Sequence, residues 1–213
     1  MNELDKMAGS RPTAPLEELW AGEFGDRYIE RNKDADSGRR EFWAAQVEAL
    51  EVGSALEIGC NFGGNLIWLA ELLGVSSTAG VDVNERALEL LRKRVPGVDA
   101  RLSPGAALPF DDDSFDLAFT MGVLIHQDPD TQLEPMMREI VRCSRRYVIA
   151  GEYFADELTE VSYRGQEGAL FKQDFGALYQ RLFPQLALVE SGPLGEDQGR
   201  WDDLIYWVFE QPS

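Results

Sequence analysis

Histidine is nearly absent from this chain, cysteine is scarce, and basic residues are outnumbered by acidic ones. The one histidine is His126 and the two cysteines are Cys60 and Cys143. So few soft or imidazole ligands, so far apart, give no cluster that could hold zinc or iron. Two separated cysteines also give no disulfide framework, and they fit a reduced, cytoplasmic protein. Lys and Arg total 20 against 38 Asp and Glu, a formal charge of −18. That balance disfavours nucleic acid and anionic membrane surfaces, both negative themselves, and makes a small soluble molecule the default partner. Long apolar runs are missing too: stretches such as Gly64 to Leu73 are too short and interrupted to span a bilayer. The N-terminus has no basic-then-apolar export signal.

What is present suits one domain of ordinary size, with 44% apolar residues over 213 positions. Residues 1–15, with Gly9, Pro12 and Pro15 among polar neighbours, read as a mobile leader, and 16–213 as a single domain. Within it, 16–50 form a helical cap, because Leu19, Trp20, Phe24, Tyr28 and Ile29 recur at the spacing of short helices with one buried face. A helix near Arg39 to Leu50 follows. Residues 51–151 alternate short apolar strands with helices: strands at 54–59, 78–83, 99–102, 115–121 and 147–151, helices at 65–73, 85–95 and 130–143. This is the pattern of a parallel sheet covered on both faces, a Rossmann-like, doubly wound α/β architecture. Residues 152–184 read as a substrate-specific segment, and 185–213 hold two terminal strands, Leu186 to Glu190 and Leu204 to Glu210, which suit an antiparallel pair.

The first strand runs into a glycine turn, Ala55-Leu-Glu-Ile-Gly-Cys-Asn-Phe-Gly-Gly-Asn-Leu66, and the second ends on an acid, Gly80-Val-Asp-Val83. Such an order cradles a nucleoside-bearing cofactor. Gly59, Gly63 and Gly64 keep side chains away from the ligand, Asn61 can take a positive φ, and the next helix offers free N–H groups. Asp82 is placed to accept hydrogen bonds from a ribose. Asn84 suits the N-cap of the following helix. His126, five residues past Met121, lies where ligands gather in open α/β sheets; it either meets the substrate as a general base or structures the loop before Asp128-Pro129.

Leu56-Glu-Ile-Gly-Cys60, Asp82, and Leu108-Pro-Phe-Asp-Asp-Asp-Ser-Phe-Asp116 together resemble the motifs of class I S-adenosylmethionine-dependent methyltransferases. The resemblance covers about Val52 to Gly151. It implies a seven-stranded, mostly parallel sheet with the last strand antiparallel, and S-adenosylmethionine as cofactor. It makes Glu57, Gly59, Cys60, Asn61, Gly63, Asp82, Val83, Gly105, Ala106 and Met121 the cofactor contacts. Asn61 stands where most members carry glycine, and Ser103-Pro-Gly-Ala-Ala107 lacks the acid many members place there. Backbone at Gly105 and Ala106 would then serve the adenine, with Val83 or Asn84 against the ring.

A narrower likeness runs through Trp20 to Asn32, Gly59 to Leu66, Gly122-Val-Leu-Ile-His126 and Phe171-Lys-Gln-Asp-Phe175. These segments resemble the methyltransferases associated with pseudaminic acid biosynthesis, which implies transfer to O or N of a small polar, sugar-acid or amino-acid-like metabolite. Tyr28, Arg31, Asn32, His126, Tyr153, Tyr163 and Arg164 are the candidate substrate residues, with His126 as catalytic base. Arg31 either pins an anionic substrate or makes a structural salt bridge. Trp20 and Phe24 read as core. A nicotinamide-dependent oxidoreductase, or a protein that binds a nucleoside cofactor without chemistry, are the competing readings.

Overall fold

The computed structural model describes residues 16–32, 38–195, 201 and 203–212. The expected leader at 1–15 lies outside the described residues. The chain opens with α1 (Leu16–Ala21), α2 (Glu23–Asn32) and α3 (Arg40–Leu50), then alternates β1 (Ala55–Ile58), α4 (Leu66–Leu73), β2 (Thr78–Asp82), α5 (Glu85–Arg94), β3 (Asp99–Leu102) and β4 (Phe115–Met121). After β4 come a 3-10 turn (Leu124–His126), α6 (Leu133–Cys143), β5 (Ser144–Glu152), the short pair β6 (Thr159–Glu160) and β7 (Phe171–Lys172), α7 (Phe175–Leu182), β8 (Ala187–Leu194) and β9 (Leu204–Glu210).

Seven strands form one sheet in the order β3-β2-β1-β4-β5-β9-β8. β1 pairs in parallel with β2 and β4, and β5 in parallel with β4. β9 runs antiparallel to both β5 and β8. Alternation along the central strands explains the two covered faces. Leu56 and Ile58 of β1, Ala118 of β4 and Val148 of β5 pack with α6 and α7 through Met137, Ile140 and Phe175. Their neighbours Ala55, Leu117, Phe119 and Ile149 pack on the opposite side with Trp43 of α3, Leu66 and Leu69 of α4, and Leu88 and Leu91 of α5.

Strand order reverses between β1 and β4, so the loops leaving their carboxyl ends open a crevice there. Helix α6 begins three residues later than the expected 130. Asp128 Oδ1 instead accepts from the backbone N–H of Asp130 and Thr131, making a turn first. Strand β5 starts at Ser144 immediately after α6, longer than the expected 147–151. The segment 152–184 holds α7, whose N-cap Asp174 accepts from Ala177 N at 2.9 Å. None of the described helices is long and apolar enough to cross a membrane.

Candidate active site

The turn after β1 is bent back on itself by backbone conformations that side chains resist. Gly59 sits at φ +72°, and a Cβ there would lie 2.6 Å from a Val123 methyl. Asn61 takes φ +47°, as the asparagine substitution in the turn anticipated, and its side chain accepts from Phe62 N. Asp82 ends β2 with both carboxylate oxygens engaged: one accepts from Asn61 N and the other from Asn84 N, each at 2.8 Å. It therefore ties the glycine turn to the start of α5. Burial raises its carboxyl above the usual range, opposed by the N–H donors of Asn84, Asn61 and Val83.

Glu57 is buried in β1. Its Oε1 accepts from Asn65 Nδ2 at 2.6 Å, while Oε2 is buried with no hydrogen-bond partner among the described residues. Asn65 in turn accepts from Trp43 Nε1 at 3.2 Å and Arg39 Nη1 at 3.3 Å. Burial pushes the Glu57 carboxyl up to about 8, against the Asn65 bond and the nearby Arg39 charge. A buried acceptor left open costs about 1–3 kcal/mol, a debt that a cationic ligand group could settle.

Across the crevice, His126 closes the 3-10 turn after β4. Its Nδ1 lies 2.6 Å from the carbonyl oxygen of Ala169. A carbonyl only accepts, so Nδ1 carries the proton and Nε2 of the neutral ring keeps its lone pair. Burial lowers the imidazole to about 4, keeping it neutral at neutral pH. The Trp20 ring stands 4.4 Å from the His126 ring and the Tyr163 ring 5.2 Å on another side. Behind the loop, Glu152 of β5 is fully buried and accepts from Val123 N and Ile125 N, each at 3.3 Å. Burial raises its carboxyl to about 7.

The glycine turn, Glu57, Asn65, Asp82, His126 and Trp20 line one cavity, whose empty space including its open mouth is about 1110 Å³, while Tyr163 and Glu152 stand behind its wall. Of the expected cofactor residues, Glu57, Gly59, Cys60, Asn61, Asp82, Val83, Gly105 and Met121 line it. Gly63 and Ala106 stand outside that wall, Gly63 being packed under Leu91. Of the substrate candidates, Tyr28, Asn32 and His126 line it. Arg31 and Arg164 are exposed and outside the wall, each stacked near its neighbouring tyrosine, Tyr28 at 5.9 Å and Tyr163 at 5.8 Å. Tyr153 is also outside, with Lys172 4.9 Å over its ring.

Trp20, expected in the core, is half-buried and lines the cavity, and Glu17, Asn65, Asn84, Ser103, Gln127 and Met136 join it. Gly25, inside α2, was the available sign of close approach: a Cβ there would meet Trp20 O at 1.9 Å and Asn84 Nδ2 at 2.8 Å. The Asn84 amide donates to Trp20 O and to Asp26 Oδ1, both at 3.1 Å, while its oxygen caps α5 through Ala87 N at 3.0 Å. One asparagine thus joins the cap to Asp82, which accepts from its backbone N–H.

The cradle fits S-adenosylmethionine on this chain's own atoms: side-chain-free space at Gly59, a carboxylate at Asp82, and an open carboxyl oxygen at Glu57 for a cationic amine. A family model described as a methyltransferase domain matches residues 55–146. The chain is 37% identical over 80 residues to the phthiotriol/phenolphthiotriol dimycocerosates methyltransferase of Mycobacterium tuberculosis, covering 37% of this chain and 29% of that one. It is 32% identical over 130 residues to methyltransferase GfsG of Streptomyces halstedii, covering 57% and 46%. The chain spans less than half the length of these relatives. In fold it is similar to the 1,6-didemethyltoxoflavin-N1-methyltransferase of Burkholderia thailandensis with bound 1,6-didemethyltoxoflavin and S-adenosylhomocysteine, with TM-score 0.72, 17% identity, and 96% and 93% of the two chains covered. A magnesium protoporphyrin IX methyltransferase from Synechocystis with bound S-adenosylmethionine gives TM-score 0.68 at 14% identity, over 95% and 100%. Taken with the strand order and the β1 turn, the match makes residues 55–146 similar to a methyltransferase domain, on a fold shared with these S-adenosylmethionine- and S-adenosylhomocysteine-bound methyltransferases.

Proposed function

We propose that the protein transfers the methyl group of S-adenosylmethionine to an oxygen or nitrogen of a small acceptor held under the α1–α2 cap. The observation that carries this reading is one cavity walled together by Glu57, Gly59, Asp82 and His126. Asp82 and the Gly59 turn hold the nucleoside end, and Glu57 faces the amine of the amino-acid end. The bound group supplies an electrophilic methyl on a sulfonium. In-line displacement needs the nucleophile roughly 3 Å from that carbon, which is a task of positioning. His126, neutral and with Nε2 free to accept, takes the proton when the nucleophile is a hydroxyl or an amine. The aromatic cap keeps water from the reacting atoms.

Of the finer expectations, a sugar-acid or amino-acid-like acceptor of the kind implied by the pseudaminic acid resemblance would be anionic or zwitterionic. The arginines offered for it, Arg31 and Arg164, stand outside the cavity wall, which leaves the anionic version without a cationic partner from that pair. We read the two buried free cysteines as suited to a reducing cytoplasm. The test is transfer of a labelled methyl group from S-adenosylmethionine to a panel of hydroxyl and amine acceptors, together with S-adenosylhomocysteine binding. A folded protein that binds no S-adenosylhomocysteine would end this reading.

A further inference from the structure

The acceptor end of the cavity presents aromatic faces and acid, and its charges are unevenly placed. Trp20 and Tyr28 line it with ring centroids 5.5 Å apart, and Trp20 leans on His126. Among the described residues, the acidic and basic ones of the wall are Glu17, Arg39, Glu57 and Asp82. Arg39 sits beside Glu57: it donates to Asn65 Oδ1, and its guanidinium lies 4.2 Å over the Trp201 ring. Asn32 and Gln127 each turn one amide N–H away to a backbone carbonyl, to Tyr28 O at 2.9 Å and Val123 O at 3.3 Å. A field of −18 charges further opposes the approach of anions.

We infer that the acceptor is a neutral, planar aromatic or heteroaromatic molecule whose hydroxyl or amine meets His126 while its ring packs against Trp20. This inference rests on the methyltransferase reading of the same cavity. Offset or edge packing of flat rings adds attraction beyond the area they bury, which a puckered sugar or a branched amino acid cannot match. The Trp20 indole N–H has no hydrogen-bond partner among the described residues, so a ring carbonyl or ring nitrogen reaching it would satisfy a buried donor. A neutral imidazole at His126 adds no cation to favour a carboxylate, consistent with its burial-lowered proton affinity.

The inference is tested by calorimetry on the whole protein saturated with S-adenosylhomocysteine, titrated with catechol, 8-hydroxyquinoline, trans-1,2-cyclohexanediol and glucuronate. An aromatic probe should bind about two- to tenfold more tightly than the saturated diol, the worth of a ring pair, and glucuronate should bind weakest. Trp20→Leu should remove most of that preference, and Trp20→Phe, which keeps a ring and is the gentler change to the cap, should retain it. Both variants should hold S-adenosylhomocysteine within about twofold, since they change only the Trp20 ring beside His126 and keep the Trp20 carbonyl to which Asn84 donates. Equal binding of diol and catechol, tighter binding of glucuronate, or no binding by either aromatic probe overturns the inference while leaving methyl transfer intact. Failure of S-adenosylhomocysteine itself to bind overturns both.

Discussion

Asp82, Glu57 and His126 do different work in one cavity, and each makes a separable prediction. Asp82 already accepts two backbone N–H bonds that shape the glycine turn. Asp82→Ala therefore removes both a ribose partner and the brace for its loop. Calorimetry should show S-adenosylhomocysteine weakened by about 1.5–3 kcal/mol or more, the worth of bonds to a charged group. Glu57 holds its proton up to about pH 8, so it is largely neutral at pH 7 when no ligand is bound. An ammonium placed against Oε2 favours the carboxylate, lowers its proton affinity and expels the proton. Binding heats measured at pH 7 in buffers of different ionisation enthalpy should reveal that release; it should fade above pH 8, where Glu57 is already ionised, and vanish in Glu57→Gln. For His126, the base must be unprotonated and its ring titrates near 4. Turnover at saturating cofactor should lose no imidazole limb between pH 7 and 5.5, while His126→Gln lowers turnover by about 10²–10⁴-fold and leaves cofactor affinity intact. A limb near pH 6.5 would show instead an exposed, ordinary histidine.

The joint between the cap and the cofactor loop runs through Asn84, at the scale of whole elements. Its oxygen caps α5 and its amide holds α1 and α2 through Trp20 O and Asp26, beside the ion pairs of Arg86 with Asp26 and Glu30. Asn84→Asp keeps a capping oxygen but loses both donors and faces Asp26 and Asp82 with like charge. Asn84→Ala loses the helix cap as well, costing about 1 kcal/mol of stability. Thermal melts should therefore report the lost helix cap in the alanine variant, whereas acceptor KM should rise in both. An aspartate variant with unchanged acceptor KM would detach Asn84 from cap docking. The central elements were legible in the sequence because a buried parallel strand is a short apolar run stopped by glycine, as at Ala55–Ile58. Helix α7 was legible too, from Asp174 before Phe175, Leu178, Tyr179 and Leu182, but Gly176 inside it and Pro184 just past it blur the signal, and it was passed over. The cap's orientation was not legible. That Trp20 meets His126, and that Arg31 points elsewhere, depends on which face of α1 and α2 Asn84 pulls inward, and no local pattern encodes a contact 64 residues away.

At the scale of the molecule, the buried titrating groups set how stability responds to pH, and their signs oppose. Glu57 and Glu152 have proton affinities raised from 4.5 to about 8 and about 7. Between the unfolded and folded values the native state binds the extra proton, so each contributes stability below 4.5 that is lost as pH rises through its folded value. His126 is lowered from 6.5 to about 4, so in that window the unfolded state binds the extra proton and stability is lost as pH falls. Two carboxyls outweigh one imidazole between pH 4.5 and 6.5, and above 6.5 the carboxyls act alone. The surplus of 38 acidic over 20 basic residues pushes the same way, since self-repulsion grows as carboxylates ionise. The ligand-free protein should therefore melt higher at pH 5.5 than at pH 8, by roughly 5–10 °C if a few kcal/mol separate the two conditions. Glu152→Gln should flatten the part of this slope between pH 5 and 7. Saturating S-adenosylhomocysteine should flatten the part that reaches pH 8, because it accepts Glu57 in its ionised form. A melt that rises steadily from pH 5.5 to 8 without ligand would mean that both carboxyls are solvated in solution, and that the cavity at Glu57 is wetter than its missing hydrogen-bond partner implies.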